Sequence, residues 1–164
     1  MPRGRKVESE EEEAATAGSR MTGAYVIIFR ISERSSVVVG RLGVFDLQEG
    51  WYAYVGSAMN GLKARTGRHL RCDGRKRWHI DYVLPLSQER FAFLIPSDTD
   101  IECRVADLIS SWDGTKVPIK GFGSSDCRCP SHLFLLGSED PEIGKRLSSG
   151  LGKRKVIREN SPQC

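Results

Sequence analysis

The sequence predicts an α+β domain with a central, mainly antiparallel sheet flanked by helices, on three observations. GAYVIIFRI, GWYAYVGS and ERFAFLIP are aromatic, β-branched and largely apolar, as buried strands are. Two stretches, near residues 61–72 and 100–112, carry helical signals instead. Strands dominate the first half and mix with helices in the second, without the regular alternation of a parallel α/β sheet.

The elements follow in order. Residues 1–20 are acidic, then Ala/Thr/Gly/Ser-rich, with no apolar periodicity, and read as a disordered arm. The domain proper is read as 21–138, opening with the strand GAYVIIFRI. SERSS is a turn, and VVVGRL with GVFDL makes short strands or a hairpin around Gly43. GWYAYVGS is a strand ending at Gly56. Asn60 is the expected N-cap of a helix over 61–72. DGRKR is a loop, and WHIDYVLPL a short helix stopped by Pro85. ERFAFLIP is a strand, and DIECRVADLISSW a helix whose first turn holds Asp100 and Glu102, favourable to its dipole. KVPIKGFGSSDCRCPSH is a long loop, HLFLL the last strand, and 139–164 a polar, basic tail.

Composition excludes several classes. The 164 residues are 39% hydrophobic and 28% charged, ordinary for a globular domain. No apolar run reaches the roughly 18–20 residues of a membrane span, so no membrane partner is expected. The N-terminal stretch lacks an apolar core and is not a secretory signal, which gives a cytoplasmic reading. Five cysteines, an odd number, fit reduced thiols or a metal site better than a disulfide framework. The net charge is +4 but unevenly placed. Five glutamates lie within 8–13, and Lys63, Arg65, Arg68, Arg71, Arg75, Lys76 and Arg77 crowd one segment against the single Asp73. Such a cluster suits a phosphate-bearing partner through counterion release, or is a solvated helix face.

Arg65 and His69 are one helical turn apart and share a face, while Leu62, Thr66 and Leu70 form a neighbouring stripe that can dock on the sheet. Gly56 lets backbone approach closely where strand meets helix. That rim is a place for a phosphate; a basic amphipathic helix accounts for the same pattern.

Gly23-Ala24-Tyr25, Tyr54-Val55-Gly56, then Arg65 and His69 at helical spacing, then Glu102 heading a later helix, together resemble the GIY-YIG nuclease superfamily. With WHIDY at 78–82 and GFGSSDCRCPSHLF at 121–134, the chain is similar to an archaeal-type branch described as a domain of unknown function, in places fused to a DNA-repair glycosylase. The resemblance implies an endonuclease that hydrolyses phosphodiester bonds in nucleic acid, DNA first. Tyr25 and Tyr54 would stand near the scissile phosphate, Arg65 would steady its charge, His69 would line the site, and Glu102 would bind one Mg2+ or Mn2+ ion. Lys63, Arg68, Arg71 and His79 would contact nucleic acid. The chemistry accepts these roles: hydrolysis needs an activated water and a cation near the phosphate oxygens, and an arginine fork fits them. The 28 residues between Tyr25 and Tyr54 exceed the family's usual spacer. An added strand or hairpin is expected there, covering the site or shifting Tyr25.

Other readings stand beside this one. Tyr25 and Tyr54 are also ordinary strand aromatics, Glu102 a first-turn dipole partner, His69 a solvent-facing histidine, and His79 and Asp81 organisers of their turn. The whole could be a non-catalytic nucleic-acid-binding accessory module, or a protein-interaction module with a structural metal loop. Cys103, Cys127, Cys129 and His132 offer three sulfurs and an imidazole for zinc. The compressed spacing puts a loop of buried thiols, with Cys103 in the core, ahead of that site. A further alternative has Asp126 and His132 lining the cleft.

Overall fold

The structure, a computed structural model, describes residues 20–72 and 74–161. The acidic arm read over 1–20 lies almost wholly outside them. Among the described residues, seven strands and four α-helices follow in the order β1 (Gly23–Ile31), β2 (Ser35–Val39), β3 (Gly43–Leu47), β4 (Gly50–Ala58), α1 (Leu62–Arg71), α2 (Ile80–Val83), β5 (Glu89–Pro96), α3 (Glu102–Ser110), β6 (Leu133–Gly137), α4 (Ile143–Leu151) and β7 (Ile157–Asn160). Five strands form one antiparallel sheet in the order β6-β4-β1-β5-β7, and β2 with β3 forms a separate hairpin. This is the expected α+β architecture with a central sheet.

Both faces of the sheet are covered, which explains why β1 is apolar throughout rather than alternating. Tyr25, Ile27 and Phe29 point to a core shared with Leu62 and Leu70 of α1, Ile80 of α2 and Phe122 of the long loop. Ala24, Val26 and Ile28 point the other way, to Val105 and Ile109 of α3 and to Ile143, Leu147 and Leu151 of α4. Gly23, at φ +146°, is required because an added Cβ would stand 2.2 Å from the Ile95 carbonyl of β5.

Three expectations need correction. The segment read as a basic tail folds into α4 and β7: Ile143, Leu147 and Leu151 recur every four residues and are buried, and β7 pairs with β5. Asn60 does not cap α1. Gly61 does, with no side-chain bond, and the Leu62 amide donates to the Met21 carbonyl at 2.7 Å. β4 runs two residues past Gly56, to Ala58, and those residues position the site. The hairpin expected between the tyrosines exists as β2–β3, with Val37, Val39 and Leu47 in the core. It contributes no residue to the cleft described next.

Candidate functional site

Tyr25 faces Gly56 in the β1–β4 register and Tyr54 faces Ile27, so both tyrosines lie on one face with ring centroids 6.3 Å apart. The phenol of Tyr25 lies directly over Gly56, where a Cβ would come within 2.4 Å of it. Gly123 of the long loop, at φ +67°, approaches Tyr54 as closely: a Cβ there would stand 2.8 Å from the ring. The two glycines admit the two phenols.

These groups line a cleft of about 270 Å³ together with Arg65, Trp78, His79 and Glu102. Arg65 reaches it from α1, on the tyrosine face. Glu102 reaches it from the first turn of α3, which packs on the opposite face. The meeting is possible because β6 begins only opposite Tyr54, so Gly56–Ala58 of β4 extend beyond their neighbour. The last rung there is Val55 N–H to the His132 carbonyl, 2.9 Å. Ser57 then joins the two sides: its carbonyl accepts from Arg65 Nη1 at 3.2 Å, and its hydroxyl donates to Glu102 Oε2 at 3.2 Å. The sequence reading did not single out Ser57; its only signal is that it directly follows Tyr54-Val55-Gly56. Asp100, just before α3, accepts the Glu102 amide at 3.0 Å and so fixes the helix start.

Behind Tyr25 runs a buried polar chain. The Tyr25 hydroxyl lies 3.1 Å from His69 Nε2, and His69 Nδ1 lies 2.9 Å from Asp81 Oδ1. Oδ2 of Asp81 accepts from the Arg77 and Trp78 amides at 2.9 and 3.0 Å. Burial acts to raise the Asp81 pKa, but the His69 hydrogen bond and those two amides outweigh it and hold it at about 2. An ionised Asp81 can only accept, so Nδ1 of His69 donates to it, and in the neutral imidazole Nε2 is then left to accept from Tyr25. His69 is buried, which overturns its reading as a solvent-facing residue. Burial holds the Tyr25 hydroxyl well above the ordinary tyrosine range, with the Arg65 guanidinium pulling the other way. Tyr54 is likewise raised, first by burial and then by the neighbouring Tyr25 and the Glu102 and Asp81 carboxylates.

Trp78, which sequence reasoning passed over, carries Arg65 on its ring at 4.4 Å and Arg68 at 4.7 Å. Stacking of this kind fixes a guanidinium without consuming its donors. Arg68 is otherwise turned to Asp81 and to the Arg75 carbonyl and does not line the cleft. Arg71 ends α1 at the surface, and Lys63 lies 4.0 Å from Glu159 of β7. His79 does line the cleft. Its Nδ1 accepts the Gly123 amide at 2.9 Å, so its proton is on Nε2, and burial lowers its pKa.

A second cluster adjoins Glu102. One ligand atom each from Cys103, Cys127, Cys129 and His132 lies within 4.8 Å of all the others, close enough to hold a metal ion. Cys103 is exposed, Cys127 and Cys129 are half-buried and His132 is buried. The expectation of a core Cys103 among buried thiols therefore fails: Cys103, in the first turn of α3, is exposed. Burial, then the Cys103 and Cys127 thiols, push Cys129 up to about 12. His132 is not part of the cleft lining, whereas Asp126 is. Among the described residues, no helix is long and apolar enough to cross a membrane.

A family model described as "Domain of unknown function DUF123" matches residues 24–150. No curated protein and no solved structure matches the chain.

Proposed function

The chain belongs to the DUF123 family, and from that premise we propose that it is a GIY-YIG-type endonuclease that hydrolyses phosphodiester bonds in nucleic acid, DNA in the first instance. One observation carries the reading: Arg65 and Glu102, from helices on opposite faces of the sheet, converge on Ser57 beside a tyrosine hydrogen-bonded to a buried histidine that is itself held by Asp81.

Arg65, stacked on Trp78 and bonded to the Ser57 carbonyl, offers its remaining N–H groups to non-bridging phosphate oxygens. A water attacking phosphorus must lose a proton. The oxygen of Tyr25 takes it while the Tyr25 hydroxyl proton passes to His69 Nε2, and Asp81 stabilises the imidazolium that results. This sequence does not require a free phenolate, which burial disfavours. The logic is that of a nucleophile–histidine–aspartate triad with the phenol as a relay. Glu102 fits a hard cation: each of its oxygens accepts one hydrogen bond, leaving lone pairs, and a lone carboxylate suits a largely hydrated ion. Glu102 would hold Mg2+ or Mn2+, which would supply stabilisation of the charge that develops on the leaving oxygen.

The test is incubation of pure protein with labelled linear and branched DNAs and RNAs, with and without Mg2+ or Mn2+. Metal-dependent cleavage supports the reading. Binding without cleavage on every substrate would replace it with a non-catalytic accessory module.

A further inference from the structure

The relay and the Arg65–Glu102 pair leave the cysteine cluster unused. We propose that Cys103, Cys127, Cys129 and His132 bind one Zn2+ ion, and that this ion, acting through His132, sets the position of the Glu102 carboxylate in the cleft. The first half stands alone; the second rests on Glu102 being a working group of the cleft.

Three sulfurs and one imidazole nitrogen form a closed four-ligand set for structural zinc, and thiolates select it over magnesium or calcium. Zinc–sulfur and zinc–nitrogen bonds of about 2.3 and 2.0–2.1 Å at tetrahedral angles separate a sulfur from a nitrogen ligand by about 3.5 Å. Cys127 Sγ and His132 Nε2 stand 3.5 Å apart. The other pairs lie within 4.8 Å, so small side-chain rotations close the set. The loop that supplies three of the ligands is held by a few backbone bonds, Gly121 N–H to the Pro130 carbonyl and His132 N–H to the Phe122 carbonyl among them. A metal would tie it to α3 through Cys103.

The two nitrogens of His132 divide the work. Nδ1 lies 3.0 Å from Glu102 Oε1, and Nε2 faces the sulfur. An ionised glutamate only accepts, so Nδ1 carries the proton and Nε2 presents a lone pair to the cluster. This is the carboxylate–histidine–zinc arrangement in which an outer carboxylate orients a ligand. The influence runs both ways: an imidazole pinned by zinc pins Oε1, as Ser57 pins Oε2. His132 is therefore a positioning residue for the cleft, and Glu102 belongs to both sites.

The test uses the full chain purified without added metal. Elemental analysis should find one zinc ion per chain. Exchange for Co2+ should give the thiolate charge-transfer and intense visible bands of tetrahedral cobalt. Cys129→Ser should abolish both. Absence of zinc, together with no uptake of added Zn2+, would overturn the site. For the link, zinc affinity is measured by chelator competition in Glu102→Ala and in Glu102→Gln, with circular dichroism to confirm folding. A loss of ~10–100-fold in Glu102→Ala, with a smaller loss in Glu102→Gln, is the expected result. Unchanged affinity in both variants would overturn the link and leave the zinc. Neither readout uses cleavage, so failure of the nuclease reading would be seen separately, as bound zinc with no product from any nucleic acid.

Discussion

Ser57 holds Glu102 with its side chain, Oγ to Oε2 at 3.2 Å, while its own carbonyl holds Arg65. Alternation along β4 sends the Ser57 side chain to the α3 face, whereas Arg65 arrives from the α1 face. A single residue of the sheet therefore sets the spacing between a cation and a carboxylate carried by helices that do not share a face. Groups fixed on so rigid an element need little reorganisation when charge develops between them.

On the proposed nuclease reading, that arrangement allows binding and chemistry to be tested apart. Glu102→Gln keeps the shape of the side chain and removes the charge that would hold a divalent ion. Cleavage should fall ~100-fold or more, while binding measured without metal is retained. Arg65→Ala should weaken both, and lower the salt slope of binding by about 1. Gel-shift and single-turnover assays distinguish the two patterns; full cleavage by Glu102→Gln would reduce the glutamate to a helix-start residue.

Gly56→Ala tests the seat of Tyr25. The new methyl would stand 2.4 Å from Cζ and Oη of the ring, too close for both to keep their places. A loss of ~1–3 kcal/mol is expected in thermal or urea unfolding. The ring must tilt away, so the Tyr25–His69 bond should break as well, and cleavage should drop by more than the stability loss explains. A variant as stable as the wild type would show that the phenol does not lie over Gly56.

Asp81 predicts an acid limb. Its pKa is held at about 2 in the fold against an ordinary 3.8. A depressed folded value means that the contribution is complete above about pH 4 and is lost as pH falls from about 4 to about 2. Asp81→Asn should therefore cost roughly 1–2 kcal/mol at neutral pH, with the gap to wild type closing towards pH 2. Denaturation curves across that range decide it. A gap that stayed constant would assign the cost to packing rather than to charge.

The three inner strands were legible in the sequence because burial on both faces writes a continuous apolar run, and Tyr25, Tyr54, Arg65 and Glu102, named together there, line one cleft. Ser57 and Trp78 were not, since a serine after a strand motif and a tryptophan in a basic loop have many ordinary uses. The hydrogen bond that orients His69 comes from Asp81, twelve residues on, and only folding brings them together. The compressed cysteine spacing ranks zinc behind a loop of buried thiols. All four candidate ligands are visible in the sequence, but only folding brings Cys103 of α3 to the loop that carries the other three.

The C-terminal segment illustrates the same limit and gives the last test. A sequence that is polar and basic by composition suggests a dispensable tail, yet three apolar residues at four-residue intervals suffice to make one buried helix face. Ile143, Leu147 and Leu151 lie in the core beneath β1 and β5. Gly150 packs so closely on α3 that a Cβ would meet Leu108 Cδ1 at 2.5 Å, and Arg146 stacks on Trp112 at 4.2 Å. β7 completes the sheet beside β5, covering an edge whose backbone would otherwise be open to another chain. Leu147→Ala should thus cost ~2–5 kcal/mol, the range for truncating a fully buried leucine. Deleting everything after 138 should do worse, exposing the apolar face around Phe93 and Ile95 together with a bare strand edge, so that the product aggregates rather than folds. Thermal unfolding of the point variant and sedimentation of the truncation provide the check. A truncated chain that stays monomeric, with an unchanged melting temperature, would return the segment to the status of a tail.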